Sequence, residues 1–138
     1  MYNYPFDLIY HHTGCLVKNL EQSIENYKAL LPGVQLSPVY TISSQKVRLV
    51  FLRLNEGANL ELIECMEGNV SLSKLFNKGT SFYHIAFTTN GKTVNTVISE
   101  LEESGYRVIS KFNSEAFENK PCAFLYSPEM HMIELIEN

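Results

Sequence analysis

Two histidines and two glutamates stand at positions of this chain that repeat. Glu61 lies within Leu60-Glu61-Leu62-Ile63-Glu64, and Glu134 lies within Ile133-Glu134-Leu135-Ile136-Glu137, 73 residues further on. His12 and His84 are 72 residues apart, so one offset relates both pairs to within a residue. Each acidic segment is a short apolar run with a carboxylate inside it, and a buried ionised carboxylate is costly unless something neutralises it. Two such carboxylates at equivalent points of a repeat suggest a shared cation. Two imidazoles and two carboxylates form a mixed nitrogen and oxygen donor set that suits Zn, Ni, Co, Mn or Fe. Four protein donors in a six-coordinate shell leave two positions for water or for two neighbouring substrate oxygens. A metal held in this way polarises a carbonyl, acidifies the adjacent C–H and stabilises the enolate or enediolate formed. A carboxylate close by can move the proton.

The elements that must position these groups follow from hydrophobic spacing. Leu8 to Val17 reads as a strand, and its period of two puts His12, Gly14 and Leu16 on one face. His11 is the rival imidazole, but repeat register sets Tyr83 against it and parity turns it away from His12. A helix follows, with Asn19 as its cap and Leu20, Ile24, Tyr27 and Leu31 as its apolar stripe, and Pro32-Gly33 stops it. Val34 to Ile42 is a weaker strand interrupted by Pro38, which suggests an edge or a bulge. Val47 to Leu54 is a strand that turns through Asn55-Glu56-Gly57 into the first acidic strand, Asn59 to Cys65.

Met66 to Gly79 links the halves, with a short helix over Ser71 to Asn77 capped by Ser71. The pattern then restarts. Ser81 to Thr89 is a strand, and Thr93 to Ser104 is a helix carrying Val94, Val97, Ile98 and Leu101, ended by Gly105. Tyr106 to Phe112, Pro121 to Tyr126 and His131 to Glu137 are strands, with a turn at Ser127-Pro128. Each half reads βαβββ, which predicts an α+β fold in a single domain over 1–138. Its modules cover about 8–65 and 81–138, with a linker at 66–80. One helix can cover only one face of each module's strands. Parity sends Leu60, Leu62, Ile133 and Leu135 to that face, and His12, Glu61, His84 and Glu134 to the other. Glu64 and Glu137 fall on the helix side and read as solvated strand ends. His131 reads as a loop-end residue.

At 138 residues the chain can bury one sizeable core. A net charge of -4 and a pI near 5.5 argue against nucleic acid or an anionic membrane as the main partner. The sequence has no long apolar run of membrane-spanning length, and Met1 to Asp7 does not read as a secretory signal. Cys15, Cys65 and Cys122 are far apart and form no CxxC pattern, which fits core thiols in a reducing compartment. The expected location is cytoplasmic, and the expected partner is a small molecule.

The segment His12-Thr13-Gly14-Cys15-Leu16-Val17-Lys18-Asn19-Leu20-Glu21 resembles the opening motif of the vicinal-oxygen-chelate superfamily. That superfamily includes glyoxalase I, methylmalonyl-CoA epimerase, extradiol dioxygenases and the bleomycin-binding proteins. Ser73-Lys74-Leu75-Phe76-Asn77-Lys78-Gly79 with Tyr83-His84-Ile85-Ala86-Phe87 resembles the epimerase branch. So does Lys120-Pro121-Cys122-Ala123-Phe124-Leu125 running into Ile133-Glu134-Leu135. The resemblance implies two βαβββ modules in a curved mixed sheet around one divalent ion (Zn, Ni, Co or Mn), with His12, Glu61, His84 and Glu134 as its ligands. It further implies an isomerase or lyase of the epimerase or glyoxalase type, acting on an acyl-CoA thioester or a thiohemiacetal, in a homodimer. Glu134 or Glu61 would move the proton, because the position where epimerases carry a Glu base is Ser44 here. The alternatives are a non-catalytic, drug-sequestering protein of the same fold and an extradiol-type dioxygenase. Glu61 speaks against the dioxygenase, which leaves that position unliganded.

Overall fold

The structure is a computed structural model that describes residues 8–55, 58–127 and 131–138. The expected turns at Asn55-Glu56-Gly57 and Ser127-Pro128 lie wholly or in part outside them. The chain groups into two compact units, His12–Tyr83, and His84–Asn138 with the residues up to His11. Segment 66–80 goes with the first.

In the first unit, β1 (Ile9–Val17) leads to α1 (Leu20–Leu30), β2 (Gln35–Leu36), β3 (Tyr40–Ile42), β4 (Val47–Asn55), β5 (Ala58–Cys65) and α2 (Val70–Asn77). The strand expected over Val34 to Ile42 is split at Pro38 into β2 and β3, which both pair antiparallel with β4. Proline has no N–H to give a ladder, so pairing lapses there. β4 pairs antiparallel with β5, and β5 pairs parallel with β1, giving the order β2-β4-β5-β1. Leu20, Ile24 and Tyr27 of α1 pack with Val50, Leu52, Leu60 and Leu62, as the expected stripe requires. Leu31 drops out of that stripe: it is the helix C-cap, and 36% of its surface is exposed. The cap of α2 is Asn69, not Ser71, with the Asn69 side chain accepting the Leu72 N–H. Asn69 also donates to the Gln45 carbonyl, which anchors it to the turn before β4.

The second unit repeats the plan. It contains β6 (Phe82–Thr88), which begins in the first unit's last residues, then α3 (Val94–Glu102), β7 (Arg107–Ser114), β8 (Lys120–Tyr126) and β9 (Met132–Ile136). The order is β6-β9-β8-β7, with β6 and β9 parallel and the other pairs antiparallel. Val94, Val97, Ile98 and Leu101 of α3 bury against Ala123, Leu125, Ile133 and Leu135. The fold class is α+β, a mixed β-sheet architecture with three α-helices among the described residues.

Glu64 and Glu137 do lie on the helix side, but they are not solvated strand ends. The Leu20 N–H donates to Glu64 Oε2 and the Val94 N–H donates to Glu137 Oε1, each at 2.8 Å. These are the first residues of α1 and α3, whose N–H groups have no partner within the helix. A carboxylate there is also favoured by the helix dipole. Glu64 additionally accepts from Arg48 at 3.0 Å. We expect Glu137→Ala to cost about 1 kcal/mol in urea unfolding. A variant that unfolds with the parent would reduce this cap to a spectator.

Candidate metal centre

The ladder register places each functional pair. Gly14 sits opposite Glu61 across β1 and β5, and Ala86 sits opposite Glu134 across β6 and β9. Each histidine lies two residues before its small residue, and therefore on the same strand face as the glutamate. Glycine and alanine leave room between imidazole and carboxylate. His12 Nε2 lies 3.4 Å from Glu61 Oε1, and His84 Nε2 lies 3.3 Å from Glu134 Oε1. Relative exposure is 0% for His12, 4% for Glu61, 2% for His84 and 4% for Glu134. Each compact unit thus holds one buried imidazole–carboxylate pair.

These separations test the fit to a cation. Charge-assisted N–H···O bonds close to about 2.7–2.9 Å, and both pairs are wider than that. Two ligand atoms about 2.1 Å from a common ion lie about 3.0 Å apart at a right angle and about 3.4 Å apart at the tetrahedral angle. The observed 3.3–3.4 Å falls in this range. The residues fit a divalent ion bound through nitrogen and oxygen.

Sequence reasoning missed the aromatic partners. Phe51 is paired with Glu61 across β4 and β5, and Phe124 with Glu134 across β8 and β9. The His12 and Phe51 rings meet edge-on, with centroids 5.2 Å apart and planes at 74°. The His84 and Phe124 rings do the same at 5.2 Å and 73°. The two phenylalanines are 73 residues apart, the offset of the acidic strands, and that signal was readable in the sequence.

The rival residues lie elsewhere. His11 is half-buried and packs edge-on against Phe117. His131 is half-buried just before β9, and Ser44 is exposed in the turn between β3 and β4. Cys122 is buried with Ala86 and Ile136 on the face opposite α3. Burial, aided by the charge of Glu134, pushes its thiol up to about 12. The thiolate is the reactive form, so iodoacetamide at pH 8 should leave Cys122 unmodified until urea is added, as read by peptide mass spectrometry. Rapid labelling of the native protein would contradict this burial.

The sequence profile of the Glyoxalase/Bleomycin resistance protein/Dioxygenase superfamily matches residues 11–137. The chain belongs to that superfamily. The resemblance to vicinal-oxygen-chelate proteins is borne out, and so is the α+β fold class. A hypothetical protein from Bacillus halodurans has a similar solved structure, with 24% identity and a TM-score of 0.81 over 96% of this chain and 95% of that one. Methylmalonyl-CoA epimerase from Mycobacterium tuberculosis is 23% identical, with a TM-score of 0.75 over 93% and 86% of the two chains. The Streptomyces coelicolor epimerase, solved as variants in complex with 2-nitronate-propionyl-CoA, reaches 24% and 0.78 over 96% and 99% in one of these. Likeness at this identity carries the fold of the superfamily. No curated protein matches the chain. Among the described residues, no helix is long and apolar enough to cross a membrane.

Proposed function

We propose that this superfamily member is a divalent-metal-dependent isomerase or lyase of the methylmalonyl-CoA epimerase and glyoxalase type. His12, Glu61, His84 and Glu134 would hold one ion, which is Zn, Ni, Co or Mn. One observation carries the reading: the same buried imidazole–carboxylate pair occurs in each half, at a separation suited to two ligands of one ion. When bound, the ion polarises a substrate carbonyl, acidifies the neighbouring C–H and favours an enolate or enediolate. His12 and His84 serve as neutral donors, and Glu61 and Glu134 neutralise the ion's charge. Ser44, at the position where epimerases carry their base, has no carboxylate to take a proton. Proton transfer therefore falls to a buried carboxylate, with Glu134 as the first assignment and Glu61 as the second.

The substrate class is an acyl-CoA thioester, with a thiohemiacetal as the alternative. Similar structures were solved with methylmalonyl-CoA and with 2-nitronate-propionyl-CoA, which supports the first. A cytoplasmic homodimer belongs to the same proposal. Ser44 also favours a second reading, a non-catalytic small-molecule binder of the same fold.

Metal analysis after incubation with Ni, Co, Mn or Zn separates the two, and one tightly held ion per chain is expected. The loaded protein should then exchange the substrate α-proton in deuterated water. Protein that cannot be loaded with any of the four ions supports the binder.

A further inference from the structure

We infer that Phe51 and Phe124 are positioning residues that fix the ring planes of His12 and His84 for metal binding. The inference rests on the metal reading above and adds two residues to it. An imidazole lone pair lies in the plane of its ring, so a ligand histidine is useful only while that plane is held. Each of these two rings is met edge-on by a phenylalanine, at 5.2 Å and at 74° or 73°. Edge-to-face contact is a preferred aromatic geometry and resists rotation of either ring. Each phenylalanine is also the cross-strand partner of the glutamate that faces the same histidine. One side chain therefore flanks both members of each pair.

Two further observations separate this role from ordinary core filling. The arrangement is built twice, once in each unit, at positions related by the same offset as the glutamates. It also lies on the strand faces turned away from α1 and α3. Phe51 and Phe124 are not members of the α1 or α3 clusters, whereas Phe87 packs against the α3 cluster. On the second unit's side the support continues, since Phe112 stacks on Phe124 at 5.2 Å and 28°.

The test uses the full chain and Co(II), whose visible absorption reports ligand geometry. Phe51→Leu and Phe124→Leu keep an apolar side chain and remove the ring, and Phe51→Tyr and Phe124→Tyr keep the ring. Phe87→Leu controls for packing alone. Each leucine variant should bind Co(II) about tenfold more weakly, the low end for loss of an outer partner, with an altered visible spectrum. The tyrosine variants should restore both, and Phe87→Leu should lower the unfolding midpoint while keeping affinity and spectrum. Leucine variants that bind Co(II) with the parent's affinity and spectrum overturn the positioning role. If a leucine variant fails to fold, its tyrosine counterpart decides, and a ring-retaining variant that binds no better than Phe-less protein in the other half overturns it. A parent protein that takes up no Co(II) sinks the metal reading itself, and this inference with it.

Discussion

Glu134→Gln is expected to abolish exchange of the substrate α-proton with solvent deuterium while leaving the fold intact. Glutamine has the shape of glutamate, and position 134 is set tightly between Ala86 and Phe124 across the β6–β9–β8 ladder. The substitution therefore removes a negative charge and a base without opening a cavity. General-base contributions run to about 10²–10⁴-fold, and weaker ion binding adds to that loss. Glu61→Gln makes the same change in the other half and serves as the comparator. If Glu134 is the base, exchange with saturating metal should fall further in Glu134→Gln than in Glu61→Gln. The reverse order would move the role to Glu61, and unchanged exchange in Glu134→Gln would remove it from catalysis. Deuterium incorporation followed by mass spectrometry reads all three outcomes.

The legible part of this protein was the part governed by periodicity. Alternation along β1 and β6 put His12 and His84 on buried faces, and all four stripe residues of α3 are buried as spaced. The duplicated Leu-Glu-Leu-Ile-Glu and Ile-Glu-Leu-Ile-Glu runs gave the parity of Glu61 and Glu134 directly. What escaped was set by partners far away in sequence. Glu64 and Glu137 looked like strand ends because nothing local reveals a helix start 44 or 43 residues earlier. The edge-on contacts of Phe51 and Phe124 depend on side-chain direction as well as on parity, so alternation could at best place them on the right face. β7 runs on to Ser114 and is followed by a short 3-10 turn at Glu115–Phe117. Its exit uses Glu118 and Asn119 at φ 56° and 60°, a left-handed conformation that glycine would have signalled and glutamate does not.

The two glutamate types also separate on energetic grounds, which bears on why the chain tolerates the buried pair. Glu64 and Glu137 are half-buried and accept backbone N–H groups at helix starts, a position that suits a carboxylate. Glu61 and Glu134 are almost wholly buried beside imidazoles, where an ionised carboxylate is costly unless it is neutralised, the part given to the cation in the proposed function. Strand sequence is nearly the same around both types. A three-residue step along the strand, which reverses the face, decides whether a carboxylate supports a helix or lies beside an imidazole.

The second large effect follows from that opposition: His12→Leu combined with Glu61→Met should stabilise the metal-free protein and destroy the response to metal. Replacing both members of a buried ion pair by apolar side chains of similar volume is often neutral or stabilising, by up to about 1–4 kcal/mol, whereas removing one member alone strands the other. His12 and Glu61 are 0% and 4% exposed, and Glu61 shares its face with buried Ile63 and has Phe51 as its cross-strand partner, so leucine and methionine fit the surroundings. The parent should behave in the opposite way when Co(II) or Zn(II) is added. An ion that binds only the folded chain adds about 2.7 kcal/mol at a hundred times its dissociation constant, which for a domain of this size raises the unfolding midpoint by roughly 5–10 °C. The variant should gain nothing from the same addition. Thermal unfolding of both proteins, with chelator and with metal, therefore gives two orderings: variant above parent in chelator, parent no longer handicapped in metal. A parent indifferent to the ion, together with a double variant less stable in chelator, would mean that the His12–Glu61 pair is held by protein partners alone and that its burial serves the fold.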